Sequence, residues 1–241
     1  MSRLSVNINK VATIRNARGE GEPNVVKFAV ECERYGAQGI TVHPRPDERH
    51  ITRQDVIDLS RVVTTEFNIE GYPDRRYMRI IEEVRPAQAT LVPDSPEAIT
   101  SSAGWDVKEN STFLSLVCRH LRTMGVRPSI FVDADPEQVQ MAAMVGAERV
   151  ELYTKPYADG YRADREAAIE PFVRAAETAR KLGLGVNAGH DLNLENLRYF
   201  HERIPWLKEV SIGHAFVSDC LYLGLEKTVE AYLRELGEIR R

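Results

Sequence analysis

Histidine, glutamate and asparagine recur at the ends of short β-rich runs in this chain. One run ends at His43 and continues through Arg45 to His50, another ends at Glu70, a third carries Asn187 and ends at His190 before Asp191, and a fourth ends at Gly213 and His214. Histidine titrates near neutral pH and so takes and gives protons, and a carboxylate joins it when burial raises its pKa. A single histidine at a strand end is ordinarily a hydrogen-bonded structural residue. Four of the chain's six gathered at one rim instead form an acid-base site, with at least one of His43, His190 and His214 in the chemistry. The other two, His120 and His201, lie in helical stretches among Arg and Glu and read as surface residues.

Glu70 closes the alternating run Thr65–Glu70, in parity with Glu66 and Asn68. With the even positions facing a confined barrel mouth, it is either an acid-base group or a core carboxylate paired to an arginine. Glu151 poses the same choice and leans toward structure, and it counts among the expected substrate-binding residues. The cations suit an anion: Asn7 and Asn9 lead into Lys10, Arg15 and Arg18 in the first loop, and Arg45 follows His43. Arginine grips phosphate in bidentate fashion. The glycine-bearing ends before His190 and His214 supply backbone N–H groups of the kind that bind phosphate.

Other chemistries find less support. No H-E-x-x-H or paired H-x-H is present, so no metal is expected, and no cysteine sits at a strand end. Only Lys10 and Lys155 come near a strand end for Schiff-base work. The residues alone indicate a cofactor-free lyase, isomerase or condensing enzyme acting on a small phosphorylated substrate.

Positioning such a rim takes many parallel strands. Strands are expected at Leu4–Ile8, Gly39–His43, Thr65–Glu70, Ala89–Val92, Ser129–Asp133, Arg149–Tyr153, Gly185–Ala188 and Glu209–Gly213. Amphipathic helices are expected at Asn24–Tyr35, Arg53–Val62, Asp74–Val84, Ser111–Met124, Pro136–Val145, Asp164–Leu182, Leu194–Arg203 and Ser218–Leu236. Eight strand–helix units of roughly 30 residues fit the α/β class and a single (β/α)8 TIM barrel, whose active site lies at the carboxyl ends of the strands. A doubly wound open sheet is the alternative, but its G-x-G-x-x-G is missing. The long interruption Pro93–Asn110 reads as a loop that closes over the site.

Bulk properties agree. The 241 residues are 43% apolar and 28% charged with a net charge of -4, which fits one folded catalytic domain over residues 1–241. That charge gives no global case for nucleic acid or a membrane surface. Three scattered cysteines, no apolar leader run and no long apolar stretch point to a reduced cytoplasmic protein with no cleaved segment.

The segments V-N-I-N-K-V-A-T-I-R-N-A-R-G (Val6–Gly19), G-I-T-V-H-P-R-P-D-E-R-H-I (Gly39–Ile51), F-N-I-E (Phe67–Glu70), L-V-P-D (Leu91–Asp94), S-I-F-V-D (Ser129–Asp133), G-V-N-A-G-H-D-L (Gly185–Leu192) and S-I-G-H-A (Ser211–Ala215) resemble the pyridoxine 5′-phosphate synthase family, from Leu4 to about Leu236. The resemblance implies a TIM barrel with additional helices, assembled as an octamer and working without metal or organic cofactor. It implies condensation of 3-amino-2-oxopropyl phosphate (aminoacetone phosphate) with 1-deoxy-D-xylulose 5-phosphate to pyridoxine 5′-phosphate, phosphate and water. His43 resembles the family's proton acceptor, Glu70 a second acid/base and His190 the proton donor. Arg45, His50 and Thr100 fall where the family meets deoxyxylulose phosphate, and Asn7, Arg18, Asp191, Gly213 and His214 where it meets the aminoketone. Asn9-Lys10 stands where many members carry Asp-His, and Lys10 still meets a phosphate as a point charge. Asp191 replaces a common glycine. Rival readings are a phosphosugar isomerase or aldolase on the same barrel, or a catalytically inactive binding barrel.

Overall fold

Strands form where aliphatic residues alternate with polar or small ones: β1 (Arg3–Asn7), β2 (Gly39–Val42), β3 (Glu66–Gly71), β4 (Gln88–Leu91), β5 (Arg127–Val132), β6 (Arg149–Tyr153), β7 (Gly185–His190) and β8 (Glu209–Ile212). The computed structural model describes residues 2–94 and 103–237, and in it these strands pair in chain order as a closed, all-parallel barrel. β8 returns to β1 through Leu4↔Val210 and Val6↔Ile212. The helices are α1 (Asn9–Arg18), α2 (Val25–Arg34), α3 (Arg53–Ser60), α4 (Arg75–Val84), α5 (Ser111–Thr123), α6 (Pro136–Met144), α7 (Lys155–Lys181), α8 (Leu197–Arg203), α9 (His214–Leu223) and α10 (Leu225–Glu235).

Local chemistry starts several helices. Asn24 accepts from Lys27 N at 2.8 Å ahead of α2, Thr52 and Asp55 form a reciprocal capping box on α3, and Asp135 precedes Pro136 at the start of α6. Three expectations change. Asn9–Arg18, read as loop, is helical: Asn7 Oδ1 accepts the Asn9 N–H, Arg15 and Arg18 occupy the last turn, and Gly19 ends it at φ +79°. The helix expected from Asp164 is preceded by another segment from Lys155, and the chain bends at Asp164, whose carboxylate caps Glu166 and Ala167. The expected C-terminal helix is two, α9 and α10, broken at Gly224 with φ +79°.

The outward strand faces are apolar and meet the helices. Leu4, Val6, Ile40, Val42, Ile69, Leu91, Ile130, Val150, Leu152, Val186, Val210 and Ile212 are all fully buried there. The inward face is different. Barrels of this kind are usually filled with Val, Ile and Leu. Here the middle of the interior holds Ser5, Thr41, Asn68 and Thr90 in a hydrogen-bonded row at 2.7, 3.3 and 3.0 Å. At the amino-terminal end Glu66 takes Arg3, Arg127 and Arg149 as partners. Arg149 also reaches Glu209 at 3.5 Å and Gln88 at 3.2 Å. Glu66 shares Glu70's parity, as its spacing indicates, but it seals the opposite end of the barrel.

Removing Arg149 leaves two buried carboxylates, Glu66 and Glu209, short of a cation. Arg149→Met is expected to cost about 3–5 kcal/mol in denaturant unfolding, with Arg149→Lys recovering part of it. A loss below about 0.5 kcal/mol would show that the cluster contributes no more than an ordinary surface site.

Candidate active site

Strand ends bring the expected residues to one rim. Asn7 is the last residue of β1, His43 directly follows β2, Glu70 is next to last in β3 and His190 is the last of β7. Glu70 links the first three: its Oε2 accepts from Asn7 Nδ2 at 3.3 Å and stands 3.9 Å from His43 Nδ1. That gap is too long for a hydrogen bond but short enough for each charge to act on the other. Asn9 fixes the backbone, its Oδ1 accepting the His43 N–H at 2.9 Å and its own N–H donating to Asn7 Oδ1 at 3.1 Å. The two asparagines thereby tie the ends of β1 and β2 together.

Beyond His43, Pro44, Arg45 and His50 are buried, while Pro46, Asp47 and Glu48 between them are exposed. Arg45 Nη2 donates to Asp94 Oδ2 at 2.8 Å, with both side chains almost wholly enclosed. His50 Nδ1 accepts the Ile51 N–H at 2.9 Å, so the neutral ring carries its proton on Nε2. The ring lies edge-on to His43, with centroids 6.4 Å apart. Lys10 is exposed on α1, and its charge reaches His50.

On the opposite side, His190 takes φ +95°, in the left-handed region that non-glycine residues seldom occupy. Its Nδ1 is 2.6 Å from Asp191 Oδ2, and the Tyr153 ring packs edge-on at 5.5 Å. Thr154 Oγ1 donates to Gly189 O at 2.6 Å and accepts the Asp191 N–H at 3.2 Å, which fixes the turn. Gly189 has a steric reason: a Cβ there would lie 2.4 Å from Glu151 Oε1. Glu151 is buried below the rim, and its Oε2 has no hydrogen-bond partner among the described residues.

Burial sorts the proton affinities. For His43 burial acts first, then the charges of Arg45, His50, Arg76 and Arg49, and together they hold it well below its ordinary 6.5. Burial, followed by Arg45, Lys10 and Arg49, pushes His50 down to about 4. Glu70 moves the other way, to about 7, through burial, with His190 opposing and Asp94 adding. Burial, then Glu70 and Glu209, push Glu151 well above the carboxylate range. At neutral pH the His43 imidazole is therefore uncharged and Glu70 sits near its midpoint, while the Glu151 carboxyl is held toward its protonated form.

The remaining expected residues are more dispersed. Gly213 precedes α9, and a Cβ there would meet the Asn7 side chain at 3.2 Å. His214 opens α9 and is exposed, beside backbone N–H groups suited to an anion. Arg18 stands at the end of α1, its side chain 79% exposed and 3.0 Å from Glu20. The structure does not bring it into contact with the other candidates. Thr100 lies outside the described residues, as do residues 95–102 of the expected closing loop. Asp94 was not expected in the site, although its position just past β4 was a usable signal. Among the described residues no group of three or more His, Cys, Asp or Glu is arranged to hold a metal ion.

The profile of the family "Pyridoxal phosphate biosynthesis protein PdxJ" matches residues 4–238. A pyridoxine 5′-phosphate synthase of Bacteroides thetaiotaomicron is 62% identical over 232 residues, covering 96% of this chain and 98% of its own. That of Porphyromonas gingivalis is 58% identical over 237 residues, covering 98% and 100%. Among solved structures, a tryptophan synthase α-subunit of Pyrococcus furiosus superposes with a TM-score of 0.66 at 14% identity, covering 97% of this chain and 98% of its own. Phosphoribosyl anthranilate isomerase of Thermotoga maritima gives 0.62 at 14% identity, covering 99% and 100%. At that identity the two structures share the barrel fold only.

A carboxyl whose folded pKa is raised from 4.5 to about 7 favours folding at low pH, and that contribution is lost as pH climbs through this window. Glu70→Gln cannot ionise. The variant is therefore expected to gain roughly 1–3 kcal/mol on the wild type between the two pH values in denaturant titrations. A stability difference that stays flat with pH would contradict the raised pKa.

Proposed function

The chain belongs to the PdxJ family and is an enzyme of vitamin B6 biosynthesis with pyridoxine 5′-phosphate synthase activity, and on that premise we propose how its residues carry the reaction. The substrates are aminoacetone phosphate and 1-deoxy-D-xylulose 5-phosphate; the products are pyridoxine 5′-phosphate, inorganic phosphate and water. The amine condenses with the ketone and releases water. Phosphate and water then leave, and an aldol-type step closes the ring. Each stage moves protons on or off carbon or oxygen, so it needs groups that titrate near the working pH.

The observation that carries this reading is Glu70, with a pKa of about 7, standing 3.9 Å from a neutral, buried His43. His43 takes the proton in the early dehydration and enolisation. Glu70, close to half protonated, passes protons in either direction. His190 protonates departing oxygen late, its ring oriented by Asp191. Glu151 supplies a neutral carboxyl beneath the reacting atoms, where a second carboxylate charge would oppose ionisation of Glu70.

Binding follows the cations and the strand ends. Arg45 and His50 hold the deoxyxylulose phosphate, with Asn9, Lys10 and Thr100 beside them. Asn7, Arg18, Asp191, Gly213 and His214 serve the aminoketone phosphate. We take the enzyme to act as a homo-octamer in the cytoplasm, without metal or organic cofactor, and the family resemblance supports these three points.

Purified protein mixed with both substrates is expected to release inorganic phosphate in step with pyridoxine 5′-phosphate. His43→Asn is expected to lower kcat by about 10²–10⁴, because a positioned base contributes that much. Near-wild-type turnover by the variant would remove His43 from the proton transfers.

A further inference from the structure

Two arginines, Arg75 and Arg76, open α4, where the backbone N–H groups already carry partial positive charge. Helices built for stability favour acids at that end. Arg76 nonetheless turns toward the rim: its Nη2 donates to the carbonyl oxygen of Pro44, the residue between His43 and Arg45. Its Nε is buried without a hydrogen-bond partner among the described residues, which adds to the cost. The side chain also lines a cavity of about 30 Å³ together with His43, Arg45, Tyr72, Asp74 and Asp94.

The mount beneath it is rigid. Asp74 caps α4 by accepting the Tyr77 N–H at 2.7 Å, and Tyr77 Oη donates to Ile69 O in β3 at 2.8 Å. Gly71 makes room for that ring, since a Cβ there would fall 2.3 Å from it. Arg76 is thus attached to the same strand–helix unit that carries Glu70, and it reaches across to the segment that carries His43.

We propose that Arg76 is a positioning residue of this site: from the first turn of α4 it clamps the Pro44 carbonyl and so holds His43 and Arg45 in register with Glu70. Its charge acts in the same direction. The charged and titratable groups that face His43 are Glu70 from β3, Arg45, Arg49 and His50 from its own loop, and Arg76 from α4; Asp94, beyond β4, engages Arg45. A cation at position 76 disfavours an imidazolium on His43 and keeps the ring ready to accept a proton. The inference rests on His43 as the base of the proposed reaction, and its test separates the two.

The test compares Arg76→Met and Arg76→Lys in the full-length enzyme. Two readouts are needed: the pH profile of kcat/KM, with KM for deoxyxylulose phosphate, and NMR titration of the His43 ring in the substrate-free protein. With methionine the ring titration and the acid limb of the profile both move up by roughly half a pH unit or more, and KM rises several-fold. Lysine restores the charge without the guanidinium fork, so the titration returns toward wild type while KM stays raised. Folded Arg76→Met with unchanged ring titration and unchanged KM overturns the proposal. If the methionine variant does not fold, Arg76→Gln, which keeps a donor without the charge, takes its place with the same two outcomes. A moved ring titration and raised KM with an unmoved acid limb would support the clamp and count against His43 as the base.

Discussion

Polar side chains fill the inside of this barrel, where an unpaired one is costly because water does not screen it. Most of them find a partner; the Ser129 and Ser211 hydroxyls have none among the described residues. The arginines that enter from β1, β5 and β6 all lie at the amino-terminal end, with Glu66 and Glu209. Hydroxyls and amides fill the middle. The carboxyls of Glu151 and Glu70 lie above them, beyond the reach of those cations, and Arg45 is engaged by Asp94. Burial governs their titration and outweighs the opposing charges of His190 and Arg45 on Glu70; it raises Glu209 to about 7 as well, even among the arginines at the other end.

The same arrangement divides labour between the two faces of each strand. Stability rests on the outward aliphatic face, which buries against the helices, so the inward face is free to carry groups that a hydrophobic core would exclude. At the rim this freedom has local costs: a strained backbone at His190, a glycine at 189 where a methyl would strike Glu151, and arginines at the wrong end of α4. These departures from local preference gather where the proposed chemistry takes place.

Much of this was legible in the sequence. Eight β-rich runs in regular alternation with amphipathic segments implied the barrel, and the barrel rule directed attention to His43, Glu70 and His190. The parity of Glu66, Asn68 and Glu70 marked the inward face of β3, but parity carries no height, so Glu66 was not assigned to the far end. Helix α1 was hidden because only Val11 and Ala12 are buried on it, which leaves little periodic signal. Arg76 was hidden for a different reason. A basic residue at a helix start reads as solvated surface, and its contact with Pro44 joins two units that are adjacent only in the folded barrel.

The most direct measurement is the protonation of the buried carboxyls in the substrate-free enzyme, read from the infrared carbonyl stretch of carboxylic acids across a pH titration. A protonated-acid band at neutral pH is expected, with a component that is lost in Glu151→Gln and a second that titrates near 7 and is lost in Glu70→Gln. Complete ionisation of both carboxyls by about pH 5, as for carboxylates in water, would contradict the burial-raised proton affinities on which the rest depends.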